Sequence, residues 1–349
     1  MAVDVSLVLV CYYSSALAGR AVASFRAEGA ACRLRIEVVL VDHSEDPQEQ
    51  RALAALAPDI LIAQPNRGYA AGVNAGVQAA RGRLVVFGNP DIEFHANSLR
   101  PLLAALESGW DIVGPQFMLG EFLLPLPEPQ TPRAEILRWV AGHSKRYWKV
   151  YFTSEVRRAV SLWRAGEPVA VRELSGALLA CSRATFHGVG PWDEGYFLYF
   201  EDTEWLLRAR RRGARLGLVP TSRVTHLWGQ SADPERSLSV ALASRRRFFR
   251  SQFGLAGKLV GSLQPACSLL HPRPLGAGET VAAADVWWLV SVSRLGVPAA
   301  AVRGGAVPPL GAIQVLGRAH GKRVRYTVLA VDNRTLRCLG AWWWEYDAG

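Results

Sequence analysis

Val5-Ser6-Leu7-Val8-Leu9-Val10, followed at once by Cys11-Tyr12-Tyr13-Ser14-Ser15, is a short apolar run that stops in a polar, aromatic turn. Such a run reads as a strand buried on both faces, the kind a parallel sheet contains. Outward from it the pattern repeats. Leu17 to Glu28 has helical character, with Gly29 as its expected stop. Ile36 to Val41 is a second buried strand ending in Asp42-His43-Ser44, and Asp59 to Ala63 is a short third one. Ala70 to Ala80 reads as a helix that stops near Gly82, and Leu84 to Phe87 as a strand ending in Asn89-Pro90-Asp91. The alternation predicts an α/β fold, an open and mostly parallel sheet with helices on both faces. In such sheets ligands bind beyond the carboxyl ends of the strands. Polar clusters fall at those ends: Tyr12 to Ser15, Asp42 to Ser44, Asn66 to Gly68 and Asn89 to Glu93. Loops are polar in any protein, but four of them converging on one edge predict a cleft.

The alternation breaks at Leu119 to Arg172. Pro125, Pro127, Pro129 and Pro132 are followed by a basic aromatic stretch through Trp139, Lys145, Arg146, Tyr147, Trp148 and Lys149, which reads as an insertion of loop and helix. Leu174 to Cys181 returns to strand or core. Glu201 to Arg212 reads as a helix stopped by Gly213, and Leu216 to Val219 as a strand ending at Pro220. Further on, Pro234 to Phe253 looks helical and basic. Val307 to Tyr346 looks β-rich, with a hairpin turn at Asp332-Asn333 between Val324–Val331 and Thr335–Leu339. The expected division is an α/β domain over residues 1–231, with the insertion at about 119–172, and a C-terminal extension over 232–349, helical and then β-rich.

Half of the 349 residues are hydrophobic and 20% are charged, which predicts a globular chain with a sizeable core and argues against disorder. The formal net charge of +10 favours an anionic partner. Cys11, Cys32, Cys181, Cys267 and Cys338 are far apart and form no C-x-x-C pair. That argues against a disulfide framework or zinc site and fits a reducing cytoplasm. The start, Met1-Ala2-Val3-Asp4, lacks the basic segment of a signal peptide. Val281 to Val302, the most apolar late stretch, is interrupted by Asp285, Arg294 and Pro298, so no transmembrane segment is expected.

Four constellations carry chemistry. Pro65 to Gly76 is glycine-rich and opens a helix, so backbone can approach a ligand and amide groups can face an anion. Its spacing is not that of the dinucleotide G-x-G-x-x-G fingerprint, which disfavours a nicotinamide enzyme. In Gly88-Asn89-Pro90-Asp91-Ile92-Glu93, Asp91 is placed to hold a divalent cation that bridges phosphates, although a plain strand-end turn would look the same. Gly190 to Asp202 runs Trp192, Tyr196, Phe197, Tyr199 and Phe200 into Glu201-Asp202 at a helix start. Core packing and helix capping account for those residue types. A carboxylate beside an aromatic wall also suits a general base facing a sugar hydroxyl. His226, in Val224 to Ser231, is a lone histidine, more often packed than ligating.

The order of these motifs resembles the family 2 inverting glycosyltransferases of GT-A fold, most closely their rhamnosyltransferase-like branch, over about residues 3 to 231. The resemblance implies a nucleotide-diphosphate sugar donor, with rhamnose a candidate sugar, and a glycan, lipid-linked or other hydroxyl acceptor. It implies Mg²⁺ or Mn²⁺ as cofactor, inversion at the anomeric carbon, and a part in glycan, cell-surface polysaccharide or glycoconjugate synthesis. Tyr12, Tyr13 and Asp42 would then hold base and ribose. Asn66 and Asn74 would line the nucleotide site, and Gly72, Asn89 and Trp192 belong to the same donor site. Asp91 matches the last carboxylate of the family's D-x-D motif and would bind metal, joined by His226. Asp202 matches the catalytic base, with Glu201 beside it, and Ser175-Gly176 would shape the donor-sugar and acceptor floor. Two positions depart: Asn89 stands where many members carry an acid, as is usual in the rhamnosyltransferase-like branch, and His43 stands where Asn is commoner. Trp342-Trp343-Trp344 and the rest of the C-terminal part match nothing in the family.

Three rival readings are weaker. A sugar nucleotidyltransferase carries a glycine- and arginine-rich loop after its first strand, where this chain has Cys11 to Ser15. A non-catalytic nucleotide-sugar or glycan-binding relative would not need Asp91 and Asp202. Nucleic-acid binding through Arg208, Arg210, Arg211, Arg212 and Arg215 with Arg245, Arg246 and Arg247 lacks interleaved aromatics, so no nucleic-acid partner is expected. The run Arg245, Arg246, Arg247 and Arg250 is instead a candidate contact for an anionic membrane surface, which would make the protein peripheral on its cytoplasmic face.

Overall fold

The structure, a computed structural model, describes residues 3–227, 234–261, 263, 272–276, 278–320 and 324–346. The chain begins β1 (Val5–Cys11), α1 (Ser15–Ala31), β2 (Ile36–Asp42), α2 (Pro47–Ala54), β3 (Ile60–Ala63), α3 (Tyr69–Ala79), β4 (Leu84–Gly88), β5 (Ile92–Phe94), α4 (Leu99–Glu107) and β6 (Ile112–Leu119). It continues with β7 (Phe122–Leu123), α5 (Pro132–His143), α6 (Lys145–Arg164), β8 (Val169–Ala170), β9 (Leu178–Ser182), α7 (Arg183–Val189), α8 (Glu201–Arg211) and β10 (Leu216–His226). It ends with α9 (Pro234–Val260), β11 (Arg273–Pro274), β12 (Val286–Ser291), β13 (Ala300–Gly304), α10 (Leu310–His320), β14 (Val324–Asp332) and β15 (Cys338–Tyr346). Two compact units result. One comprises Met1–Gln116 with Ala165–Phe248, the other Phe117–Arg164 with Phe249–Gly349. The boundary expected at 231/232 lies outside the described residues, as do Trp228 to Ser231 and Cys267.

The first unit carries the α/β sheet. β3, β2, β1 and β4 run parallel, and β9 then joins β4 antiparallel. Every residue of β1 and of β4 is buried, as strands covered on both faces must be. The registers Cys11↔Asp42 and Asp42↔Ala63 bring the carboxyl ends of β1, β2 and β3 level, so the loops beyond them share one edge. Helix α3 lies hard against β1 and β2 because Gly72 and Gly76 leave room: a Cβ on either would come within 2.5 Å of the Val10 or Val8 side chain.

Two local expectations change. Gly29 does not stop α1, which continues to Ala31; it gives space to Ile36, whose Cγ2 a Cβ there would meet at 2.5 Å. Pro220 does not end its strand. β10 runs on to His226, and Pro220 falls between the stretches that pair with β8 (Gly217, Leu218) and with β5 (Val224 to His226).

The second unit is a sheet with helices on it. β13, β12, β14 and β15 pair antiparallel, and β11 lies parallel beside β15. The expected hairpin forms between β14 and β15, where the Asp332 side chain accepts bonds from the Thr335 N–H and hydroxyl. The segment expected to be all β also contains helix α10. Helix α6 buries Phe152, Val156 and Val160, one turn apart, against Trp287, Leu289, Ala301, Leu329 and Val331. No helix among the described residues is long and apolar enough to cross a membrane.

Candidate active site

The first unit's strand ends bring most of the expected residues together. At the end of β1, Tyr12 and Tyr13 are exposed, with rings edge to face at 4.9 Å. The amides that open α1 are already used: Ser14 N and Ser15 N donate to Glu49 Oε1 at 2.6 and 2.7 Å. At the end of β2, Asp42, His43 and Ser44 are buried, and Asp42 Oδ1 accepts the Ser44 N–H at 2.8 Å. The Gln64 amide nitrogen lies 2.9 Å from His43 Nε2. Burial lowers the His43 pKa, which favours the neutral ring.

The glycine-rich segment is fastened to the aromatic one. Asn66 Oδ1 accepts the Gly68 N–H at 3.1 Å. Gly68 has φ +99°, and a Cβ there would meet the Phe197 carbonyl oxygen at 2.5 Å, so only glycine fits. Tyr69 N donates to that same carbonyl at 2.9 Å. Asn74 takes part in this fastening. Its amide donates to Trp192 O and Glu194 Oε1, and its oxygen accepts the Trp192 N–H. Trp192 is 1% exposed, packed edge-on or tilted against Tyr69, Phe87 and Trp205, and so belongs to the core beneath the site.

Beyond β4, Asp91 is buried and its Oδ1 has no hydrogen-bond partner. The β5–β10 ladder sets His226 opposite Ile92, which brings His226 Nε2 to 3.4 Å from that oxygen, with Asn89 Nδ2 3.5 Å from the same ring nitrogen. Glu93, one residue on, is exposed on the other face. The Asp91–His226 pair fits a divalent cation. Ligand bonds of about 2.1 Å at right angles place two donor atoms about 3 Å apart. Among the described residues no group of three or more His, Cys, Asp or Glu is gathered to hold a metal. Phosphate and water oxygens would therefore complete the shell, as they commonly do for Mg²⁺.

The turn into α8 is strained. Tyr199 and Phe200 both adopt left-handed conformations, φ 67° and 70°, which non-glycine residues rarely hold. This turn presents Glu201 and Asp202. Asp202 Oδ2 accepts the Gly176 N–H at 2.8 Å, and Oδ1 accepts the Thr203 N–H at 2.6 Å and its hydroxyl at 3.2 Å. Burial raises the Asp202 pKa, and these bonds oppose the rise. A Cβ on Gly176 would strike the Asp202 side chain at 2.6 Å, so the glycine is needed for this approach. Glu201 is 4% exposed, its Oε2 lacks a partner, and burial followed by the charge of Asp202 raises its pKa well above the usual range. Burial and that charge both favour the protonated form of Glu201. Ser175 turns its hydroxyl to the Ala177 N–H at 3.3 Å.

The metal-side and base-side groups are linked. Asn89 N donates to Ala177 O at 2.9 Å, one residue from the peptide that holds Asp202. Tyr69, which sequence reasoning left out of the site, donates its hydroxyl to Gly176 O at 3.3 Å. Burial raises its pKa well above 10, and the charges of Glu201, Asp202 and Asp91 add to that. A tyrosine inside a glycine-rich run signals only packing; its hydroxyl becomes visible once the 176–177 segment is folded beside it. An open recess of about 590 Å³ near Asn74, Asp193 and Arg208 contains none of Asp42, Asp91 or Asp202, and its arginine is already forked by Glu204.

Residues 6–157 match the family model described as Glycosyl transferase family 2. The match includes Asp42, Asn66 and Asp91 and ends before Asp202 and His226. The chain is also 25% identical over 223 residues to the low-salt glycan biosynthesis hexosyltransferase Agl10 of Haloferax volcanii, covering 62% of this chain and 67% of that one. Among solved structures, GalNAc-T7 with UDP, GalNAc and Mn²⁺ is similar at 18% identity and a TM-score of 0.46, covering 64% of this chain and 44% of that one. The mannosyltransferase PcManGT of Pyrobaculum calidifontis, in complex with GDP-Man and Mn²⁺, is similar at 15% identity and a TM-score of 0.49, covering 75% and 68%. Over residues 6–157 the chain is thus similar to family 2 glycosyltransferases, and the sheet described above is the GT-A type α/β fold expected from the sequence.

Proposed function

We propose that the protein transfers a sugar from a nucleotide-diphosphate donor to an acceptor hydroxyl with inversion, using Asp202 as general base. The observation that carries this reading is the linkage of a hydrogen-bonded, partly buried Asp202 to the Asp91–His226 pair through the Gly176–Ala177 backbone. Asp202 takes the proton of the acceptor hydroxyl. The freed oxygen attacks the anomeric carbon from the face opposite the diphosphate, the carbon–oxygen bond to the diphosphate breaks, and its electron pair leaves with the phosphate oxygen. Asp91 and His226 are the residues that would hold Mg²⁺ or Mn²⁺, which when bound neutralises the charge of the leaving diphosphate. Tyr12, Tyr13 and Asp42 would receive the base and ribose at the neighbouring strand ends. Glu201, kept protonated beside Asp202, leaves the negative charge on the residue that accepts the proton.

The base must be ionised to act. Since burial raises the Asp202 pKa, turnover should fall as pH drops through that raised value, at a higher pH than an ordinary aspartate would give. Calorimetry with UDP, dTDP and GDP, each with and without Mn²⁺, tests the donor reading. Binding of one of them, strengthened by Mn²⁺ and lost in Asp91→Ala, is expected, with His226→Ala milder. No binding by any of the three would overturn it, and so would full turnover by Asp91→Ala with metal chelated.

A further inference from the structure

We infer that the elbow between α5 and α6 is a docking surface for an anionic lipid bilayer. This rests on the second unit alone and is independent of how the first unit's site is read. The elbow is firmly held from within. Arg138 pairs with Glu128 and Glu135, and the Tyr151 hydroxyl donates to Glu128 at 2.8 Å. Trp148 stacks on Phe152 at 5.1 Å and donates its indole N–H to Leu295 O, while Phe152, Val156 and Val160 enter the core. Every acid near the elbow is used in this way or flanks it: no aspartate or glutamate occurs between Glu135 and Glu155.

What the elbow turns outward is of another kind. Trp139 is 39% exposed, Tyr147 58% and Val150 66%, with Ile136 and Leu137 exposed on the preceding turn of α5. Among them Lys145, Arg146 and Lys149 are exposed, and Arg133 follows on the same face of α5. Among the described residues none of these four cations has an ion-pair partner. Aliphatic side chains in a rim of free cations, with a tryptophan and a tyrosine between, match the layering of a bilayer surface. Hydrocarbon lies deepest, amphipathic rings sit at headgroup level, and anionic phosphates meet lysine and arginine. A nucleic-acid groove would satisfy the cations but give Ile136, Leu137 and Val150 no partner. The basic run of α9 is different in kind, because Arg247 is already bonded to Asp193 at 2.9 Å and lies over the Tyr196 ring.

The test is sedimentation of the full chain with phosphatidylcholine vesicles, with and without phosphatidylglycerol, at low and high salt. Binding that requires phosphatidylglycerol and weakens with salt is expected. The combined variant Lys145→Glu, Arg146→Glu, Lys149→Glu should lose at least about 100-fold in vesicle affinity, since three cations near the surface are reversed. The combined variant Trp139→Ser, Tyr147→Ser should weaken binding while its thermal midpoint stays within a few degrees of the parent's. Parent protein that stays in the supernatant, charge-reversed protein that sediments like the parent, or a parent that binds duplex DNA more tightly than the anionic vesicles would each overturn the proposal.

Discussion

The two units differ in how the acids near their centres are partnered. In the second unit, Glu128, Glu135, Arg138 and Tyr151 satisfy one another, and Asp285, Arg303, Asn333 and the Trp287 indole N–H form a second, partly exposed set, while the Trp342 indole N–H is buried without a partner. In the first unit, the carboxyl ends of the sheet leave Asp91 Oδ1 and Glu201 Oε2 buried without hydrogen-bond partners, and the turn before Glu201 is strained. Unpartnered buried oxygens cost free energy, so they persist where something else uses them.

The largest expected break in that contrast is Asp202→Asn. Asparagine keeps the shape and one acceptor oxygen for the Thr203 N–H, but its amide nitrogen cannot accept the Gly176 N–H, and it cannot accept the acceptor's proton. Turnover should fall by about 10²–10⁴-fold while nucleotide affinity, measured by calorimetry, stays within a few-fold. Glu201→Gln, which preserves an already neutral group, should change turnover far less. Equal transfer rates in Asp202→Asn and the parent would make capping the better account of both carboxylates.

Next comes the second unit's closed network. Arg138→Met leaves Glu128 and Glu135 facing each other without their cation, and removing one partner of a buried ionic set costs about 3–5 kcal/mol. Chemical denaturation should register that loss. Nucleotide affinity should not move, because the donor groups all lie in the first unit. A variant that unfolds like the parent would mean that these pairs are as dispensable as surface ones.

The fold of the first unit was legible because strand burial and strand ends are local signals: Val5 to Val10, Ile36 to Val41 and Leu84 to Phe87 name themselves. What escaped depends on distant chain. Arg164 bonds both the carbonyl and the side chain of Asn333, and neither residue hints at the other in sequence. Gly29 looked like a stop because Ile36, for which it makes room, comes against it only once the helix packs on the sheet. Asp91 and Asp202 were readable as chemistry-bearing types at strand and helix ends. Tyr69 and the neutrality of Glu201 were not, since both follow from burial beside the other carboxylates.

Glu173 offers a finer test. It is buried two residues before Ser175, and burial raises its pKa to about 7, with Arg210 opposing and Asp202 adding. A carboxyl group whose folded pKa is raised is ionised first in the unfolded chain. Its penalty is absent below the unfolded value near 4.5, grows as pH rises, and is complete above about 7. Glu173→Gln removes that penalty. The variant should match the parent at pH 4 and exceed it by up to about 3 kcal/mol at pH 8. Equal stability of the two at pH 8 would mean that water reaches Glu173 well enough to solvate its charge.

The smallest effect expected is that of Tyr69→Phe, and it separates a positioning role from a packing one. The change keeps the ring against Trp192 and deletes the hydroxyl that donates to Gly176 O. The N–H of the same residue, on the neighbouring peptide group, donates to Asp202 Oδ2. The tyrosine bond thus fixes the position of Gly176, and its loss should let that N–H drift from Asp202. The bond that favours ionised Asp202 should weaken, and the Asp202 pKa should rise further. One neutral hydrogen bond contributes about 0.5–1.5 kcal/mol, so kcat should fall by roughly two- to tenfold with KM for the donor little changed. The acid limb of the pH profile should also move to higher pH, because more protons now compete for the base. Simple loss of packing would lower stability and leave that limb in place. An unshifted acid limb with reduced thermal stability would thus reduce Tyr69 to a core residue. A shifted limb with stability intact would join the glycine-rich loop to the base through the single residue Gly176.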